Sequence, residues 1–183
     1  MEKEEYAIIL DYLPYGYPLE GKMVPMAQAI GESKMVLLEL IPRRGATLEP
    51  GERVYIGDGK RDKIYYIFGR LKIEKITESA KEQLLKFIEK VVKEREKEFI
   101  IFFNKSESIN KRVHQLELLP GLGKKYMKEI LEERNKKEFE SFEDIRKRIT
   151  SLPYPEKIIE KRIFQELAGD ERHHLFTQKT RTN

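Results

Sequence analysis

Leu119-Pro120-Gly121-Leu122-Gly123-Lys124-Lys125 is the stretch on which the reading of this chain turns, because apolar periodicity enters it from one side and resumes on the other. Pro120 disfavours helix at the residue before it, and Gly121 and Gly123 permit a tight turn. Lys124 then opens a segment whose first amides have no intrahelical partner. Such amides favour an anion. The positive end of a helix, two glycines without side chains and the adjacent Lys124 and Lys125 together make a seat for a phosphate, read by charge and shape and without reference to any base.

The flanks are amphipathic. Ile109, Val113, Leu116 and Leu119 recur at spacings of four and three before the turn, and Tyr126, Met127, Ile130 and Leu131 continue after it. The expectation is a helix-hairpin-helix, with Gly121, Leu122, Gly123, Lys124, Lys125 and Lys128 as nucleic-acid-binding residues; the plainer alternative is an ordinary glycine turn between two core helices. A shift of 33 residues places Leu116 on Ile149, Leu119 on Leu152, Pro120 on Pro153, Lys124 on Lys157, Lys128 on Lys161 and Ile130 on Ile163. Gly121 falls on Tyr154 and Gly123 on Glu156, so the second copy keeps the helical pattern and loses both glycines. It reads as a structural partner. Ser141 followed by Asp144 starts the helix between the copies in the manner of a capping box, with Asp in place of Glu or Gln.

Composition narrows the function classes. The chain has 183 residues, no cysteine, 37% charged residues and a net charge of +4. Absence of cysteine excludes disulfides, thiolate metal sites and a catalytic thiol. No apolar run approaches ~18 residues and the opening Met1-Glu2-Lys3-Glu4-Glu5 is not a signal peptide, so a soluble cytoplasmic protein without membrane partners is expected. From residue 105 onward there are 18 Lys and Arg against 14 Asp and Glu, whereas the preceding part is balanced. The basic surplus thus lies with the hairpin half.

The first part reads as β. Tyr6 to Leu13, Met35 to Ile41, Arg53 to Ile56 and Ile64 to Ile76 are rich in β-formers, and Pro14-Tyr15-Gly16, Gly31-Glu32-Ser33, Pro50-Gly51 and Gly57-Asp58-Gly59 punctuate them. Short strands at this spacing, over about 75 residues, suit a small OB-like barrel. Thr77 or Ser79 then caps one long helix through Leu85, Ile88, Val92, Phe99 and Phe102 to about Asn104, with the run Phe99 to Phe103 buried on both sides; the continuous apolar run leaves a strand over Glu98 to Phe103 as the alternative. The expected fold is α+β, with an OB-like β-barrel over 1–76, a connecting helix and linker over 77–107, an all-α helix-hairpin-helix domain over 108–169 and a mobile tail over 170–183.

Further candidates lie on the barrel. Tyr12, Tyr15 and Tyr17 sit around Pro14 and Pro18, and Tyr55, Tyr65, Tyr66 and Phe68 lie on predicted strands near Arg53, Lys63 and Arg70; they offer stacking surfaces for unpaired bases, although aromatics in a small barrel commonly belong to its core. Arg43, Arg44, Arg53, Lys60, Arg61 and Lys63 form a secondary basic surface, for which solvated turns are the plain alternative. No metal or cofactor is expected, since His114 is isolated and His173-His174 have no evident partners. Some DNA glycosylases follow a similar hairpin with a catalytic Asp, and Asp144 stands at a comparable distance; here it sits in a capped first turn, and the β-rich half does not match that fold. No phosphate-loop, zinc-protease or nucleophile-elbow pattern is present, and no enzymatic activity is expected.

The chain resembles an uncharacterised archaeal family of predicted RNA-binding proteins in which an OB-like barrel precedes a helix-hairpin-helix domain. The residues that carry the resemblance are Glu5-Tyr6-Ala7, Leu10 to Pro14, Leu48 to Gly57, Leu116 to Lys125 and Phe139 to Ile145. It implies binding of RNA in preference to DNA, with a link to translation or rRNA maturation and with ribosomal or RNA-processing proteins as partners. It supplies no catalytic residues. A DNA-binding role in repair or replication and a protein-protein interaction module remain the alternatives.

Overall fold

The computed structural model describes residues 3–169 and 171–179. Five strands, β1 (Tyr6–Leu13), β2 (Met26–Gly31), β3 (Leu37–Pro42), β4 (Arg53–Tyr55) and β5 (Ile64–Arg70), form one antiparallel sheet in the order β4-β1-β2-β3-β5, curled into a half-barrel. Period-two residues fill its core: Ala7 and Ile9 on β1, Ala27 and Ala29 on β2, Leu38 and Leu40 on β3, with Val54 and Ile64.

β1 has the bounds read from the sequence. β2 is an addition, buried along its whole length. Its one polar side chain, Gln28, is fully enclosed and fully used: Nε2 donates to Tyr17 Oη (3.1 Å) and to the Lys75 carbonyl (2.8 Å), and Oε1 accepts from the Thr77 amide (3.0 Å). The expected strand Ile64 to Ile76 is shorter. It ends at Arg70, and Ile73–Lys75 forms a 3-10 turn.

The helices are α1 (Glu78–Glu94), α2 (Glu96–Lys105), α3 (Lys124–Lys136), α4 (Phe142–Arg148) and α5 (Pro155–Ala168). Thr77 starts α1, its Oγ1 accepting from the Ala80 amide (3.0 Å) and donating to Asp11 Oδ2 (2.6 Å). The single long helix expected to Asn104 is in fact two, interrupted at Arg95 (φ −103°, ψ 29°). The buried stripe of α1 is Ala80, Leu84, Phe87, Ile88, Val91 and Val92, whereas Leu85 faces solvent. Within Phe99–Phe103, Ile101 is 59% exposed, so the run is not enclosed on both sides; α2 buries only Phe99, Ile100 and Phe103.

Two compact units result: one through Phe87 and again from Glu166 onward, the other Ile88–Gln165. In the second, arginines satisfy helix ends. Arg134 donates to the Phe103 carbonyl (3.0 Å), Ser106 Oγ (3.0 Å) and the Ser106 carbonyl (2.9 Å) beyond α2. Arg148 donates to the Glu133 carbonyl and to that of Lys137 (2.8 Å) at the end of α3, and lies over the Phe139 ring at 4.4 Å.

The segment expected to be a mobile tail is packed where it is described. Glu166, 1% exposed, accepts from the amides of Leu175 (2.6 Å), Phe176 (3.1 Å) and Thr177 (2.9 Å) and from Thr177 Oγ1 (3.0 Å). The Gln178 amide donates to the Lys34 carbonyl (3.2 Å). A carboxylate enclosed by amides explains the order of this aperiodic stretch. Residues 170 and 180–183 of that expectation lie outside the described residues.

Candidate nucleic-acid interface

The approach to the candidate turn differs from the expectation. Ile109 to Leu116 is not a continuous helix: Asn110 Oδ1 accepts from the amides of Arg112 (2.8 Å) and Val113 (3.1 Å), and Ser108 bridges His114. Such a local side-chain bond offers the backbone an alternative to helix. Only Gln115–Leu118 winds, as a 3-10 turn. His114 begins it, its Nδ1 accepting from the Leu116 amide (3.1 Å) while Glu117 accepts from the His114 amide (2.7 Å). Nδ1 as acceptor places the proton of a neutral ring on Nε2. Burial holds the His114 pKa below its ordinary value, and the Arg134 charge acts in the same direction.

The turn itself is well defined. The Leu122 amide donates to the Leu119 carbonyl (3.2 Å) across Pro120 and Gly121, and Gly121 has φ +75°, the pattern of a type II turn with proline second and glycine third. Leu116, Leu119 and Leu122 are buried at 0–3% exposure and anchor it. Gly121, Gly123, Lys124 and Lys125 are exposed. Gly123, at φ −75° and ψ 179°, is the N-cap of α3, and a Cβ on either glycine would meet nothing within 4 Å.

The first bond of α3 runs from the Met127 amide to the Gly123 carbonyl (3.0 Å), no side chain caps the helix, and its first turn holds no acidic residue. α1, α2, α4 and α5 each carry Glu or Asp there. Among the described residues Lys124 and Lys125 meet no carboxylate, and Lys128 lies 4.0 Å from Glu132 with both side chains largely in solvent.

The second copy repeats the scaffold. The Leu152 amide donates to the Ile149 carbonyl (3.1 Å), as that of Leu119 does to Leu116 (3.2 Å), and Leu152 and Ile163 are buried like their counterparts Leu119 and Ile130. Tyr126 Oη donates to the Ser151 carbonyl (2.8 Å), joining the two turns. Glu156 stands where the first copy has Gly123 and is ion-paired with Arg146, whose guanidinium lies 5.2 Å from the ring of exposed Tyr154. A carboxylate at that position repels an anion. Ser141 caps α4 through the Asp144 amide (3.0 Å), and the Asp144 carboxylate accepts from the Glu140 amide (3.0 Å) and Arg148 (3.3 Å), a helix-start role.

On the half-barrel the six basic candidates separate. Arg53 is held by Glu32 in three hydrogen bonds of 2.8–3.0 Å and lies 3.4 Å from the Tyr6 ring, and Lys63 is paired with Glu52. Arg43 and Arg61 tie loops together: Arg43 Nε donates to the Arg61 carbonyl (2.7 Å), and Arg61 Nε to that of Gly57 (2.7 Å). Arg44 and Lys60 are exposed and meet no carboxylate among the described residues. Tyr17 and Tyr55 are structural, since Tyr17 Oη donates to Glu39 (2.9 Å) and the Gly59 amide donates to Tyr55 Oη (3.0 Å). Tyr15, Tyr65, Tyr66 and Phe68 remain exposed. No helix among the described residues is long and apolar enough to cross a membrane.

Fold and turn together define an α+β protein, with a curled five-stranded antiparallel half-barrel and five helices. The chain belongs to the family described as "Protein of unknown function (DUF655)", whose model matches residues 3–178. It is 47% identical over 177 residues to the "Uncharacterized protein MJ0038" of Methanocaldococcus jannaschii, covering 96% of this chain and 80% of that protein. The crystal structure of Af1531 from Archaeoglobus fulgidus, described as family-model DUF655, is similar with a TM-score of 0.82 at 46% identity, covering 96% of this chain and 100% of that one.

Proposed function

We propose that this protein binds nucleic acid, RNA in preference to DNA, without altering it chemically, and holds the phosphate backbone at the start of α3. On this reading the half-barrel is OB-like and the paired turns are helix-hairpin-helix elements, the second serving as scaffold. The observation that carries the proposal is the combination at Gly121 to Lys125: an exposed turn with open space at both glycines, a helix start without cap or acidic residue, and two lysines without carboxylate partners. An anion placed there gains amide donors, helix dipole and two charges at once. Translation or rRNA maturation, with ribosomal or RNA-processing partners, is the setting in which such a backbone grip is useful.

The test is a salt titration of binding to duplex RNA and duplex DNA. Lys124→Ala/Lys125→Ala should weaken binding to all sequences alike and reduce the slope of log K against log salt by about one for each phosphate no longer neutralised. Unchanged affinity and slope would show that the turn is structural only.

A further inference from the structure

We infer that a groove beside β5 holds one unpaired nucleotide of a single-stranded RNA, with its base against Tyr65 and its phosphate on Arg44. This rests on the nucleic-acid reading above and places a second, chemically different grip on the half-barrel. The groove encloses about 520 Å³, within the roughly 300–1,000 Å³ of small-ligand sites. Tyr12, Tyr65, Ile41 and Pro42 line it with Arg43 and Arg44, and no carboxylate contributes to its lining. Aromatic and apolar walls with a cationic rim suit a flat, uncharged ring joined to an anionic phosphate.

The backbone presents both key residues. Pro42 pairs with Ile64 and Ile41 with Tyr66, so Tyr65 is the extra residue of a β-bulge, a device that re-aims a side chain. It is 62% exposed. Arg44 occupies the second position of a turn closed by the Ala46 amide on the Arg43 carbonyl (2.9 Å), with Gly45 at φ +79° in the third. Arg43 is tethered through its Nε bond to the Arg61 carbonyl, and Arg44, untethered among the described residues, is the more adaptable of the two cations at the groove.

A strand accounts for more of the surface than a free nucleotide does. Glu39 pairs with Gly69 and Leu40 with Ile67, so Phe68 is the extra residue of a second bulge, 46% exposed. It lies about 10 Å along the strand from Tyr65, at ~3.3 Å per residue, and Lys22 Nζ is 5.8 Å from its ring. Two re-aimed aromatics, Tyr65 sharing the groove with Arg44 and Phe68 beside Lys22, which also pairs with Glu20 at 3.6 Å, offer stacking surfaces for bases of one strand.

The experiment uses the full chain and an end-labelled eight-nucleotide single-stranded RNA, with the matching duplex and a ribonucleoside monophosphate as controls. Tyr65→Ala should weaken single-strand binding about tenfold, and Tyr65→Phe, which keeps a stacking ring, should restore it. Arg44→Ala should lower the single-strand salt slope by about 0.7. Duplex binding should survive Tyr65→Ala and fall in Lys124→Ala/Lys125→Ala, so this inference and the α3 proposal fail separately. Wild-type single-strand affinity in both Tyr65→Ala and Arg44→Ala would overturn the inference. A monophosphate competing as well as the octamer would overturn the assignment to a strand.

Discussion

Replacing each glycine of the candidate turn by alanine separates conformation from ligand access. At Gly121 the φ of +75° is left-handed and an added Cβ would meet nothing within 4 Å, so the penalty is purely conformational. A left-handed non-glycine residue costs about 1–2 kcal/mol, and the stiffer unfolded chain returns about 0.4–1 kcal/mol, leaving Gly121→Ala destabilised by about 1 kcal/mol. At Gly123 the φ of −75° suits any residue and the space is also open. Its entropic gain of about 0.4–1 kcal/mol is offset by alanine's poorer N-cap behaviour, so Gly123→Ala should be close to neutral. Urea denaturation followed by far-ultraviolet circular dichroism measures both, with an unchanged m-value as the control. Duplex RNA binding by the same samples then reads access. On the proposed function Gly123→Ala retains stability and loses affinity, because the new methyl stands where a phosphate must approach. Equal stability losses at both positions would refute the conformational argument. Full stability with full affinity in Gly123→Ala would refute the seat.

Two predictions concern the sheet unit. Burial, aided by Glu39, pushes the Tyr17 phenol up to about 12. A raised pKa favours the protonated folded form, so this contribution is complete below the unfolded value near ~10 and is lost as pH rises toward 12. Wild type should therefore lose more stability than Tyr17→Phe between pH 9 and pH 12, and parallel curves would contradict the reading. Glu166→Ala leaves the donors of residues 175–177 without their carboxylate. Trypsin should then cut faster at Arg172, and an unchanged cleavage rate would show that Glu166 does not hold the segment.

What the sequence disclosed follows from how each segment signals. β1 is a dense run of β-formers bounded by Pro14, so its limits were legible. β2 contains two alanines and a glutamine, has Ile30 as its one β-branched residue and is buried on both faces, which weakens both alternation and β-former content, the two signals a strand normally gives. The break at Arg95 lies in a run of Lys, Glu and Arg without glycine or proline, and helix propensity there gives no warning. Ile109, Val113 and Leu116 do have helical spacing, but the Asn110 side chain captures two amides and diverts the chain. The turn at Gly121 was legible because its chemistry is local. Of the basic residues on the half-barrel, none could be sorted by sequence, since the partners of Arg53 and Lys63 lie 21 and 11 residues away.

The carboxylate of Glu166 also ties the sheet unit to a piece of chain that follows the helical unit in sequence. The sheet unit is discontinuous: its strands are complete by Arg70, yet the piece that encloses Glu166 leaves the ribosome after the whole of Ile88–Gln165. At about 5–20 residues per second the stretch from Arg70 to Thr177 takes on the order of 5–21 s. Throughout it Met35, Val36, Leu37 and Leu71, which line a small cavity with Leu167 and Thr177 in the finished fold, lack those neighbours. The helical unit is a continuous segment and has no such wait. A chain truncated before Glu166 would carry all five strands without the segment whose amides donate to that carboxylate.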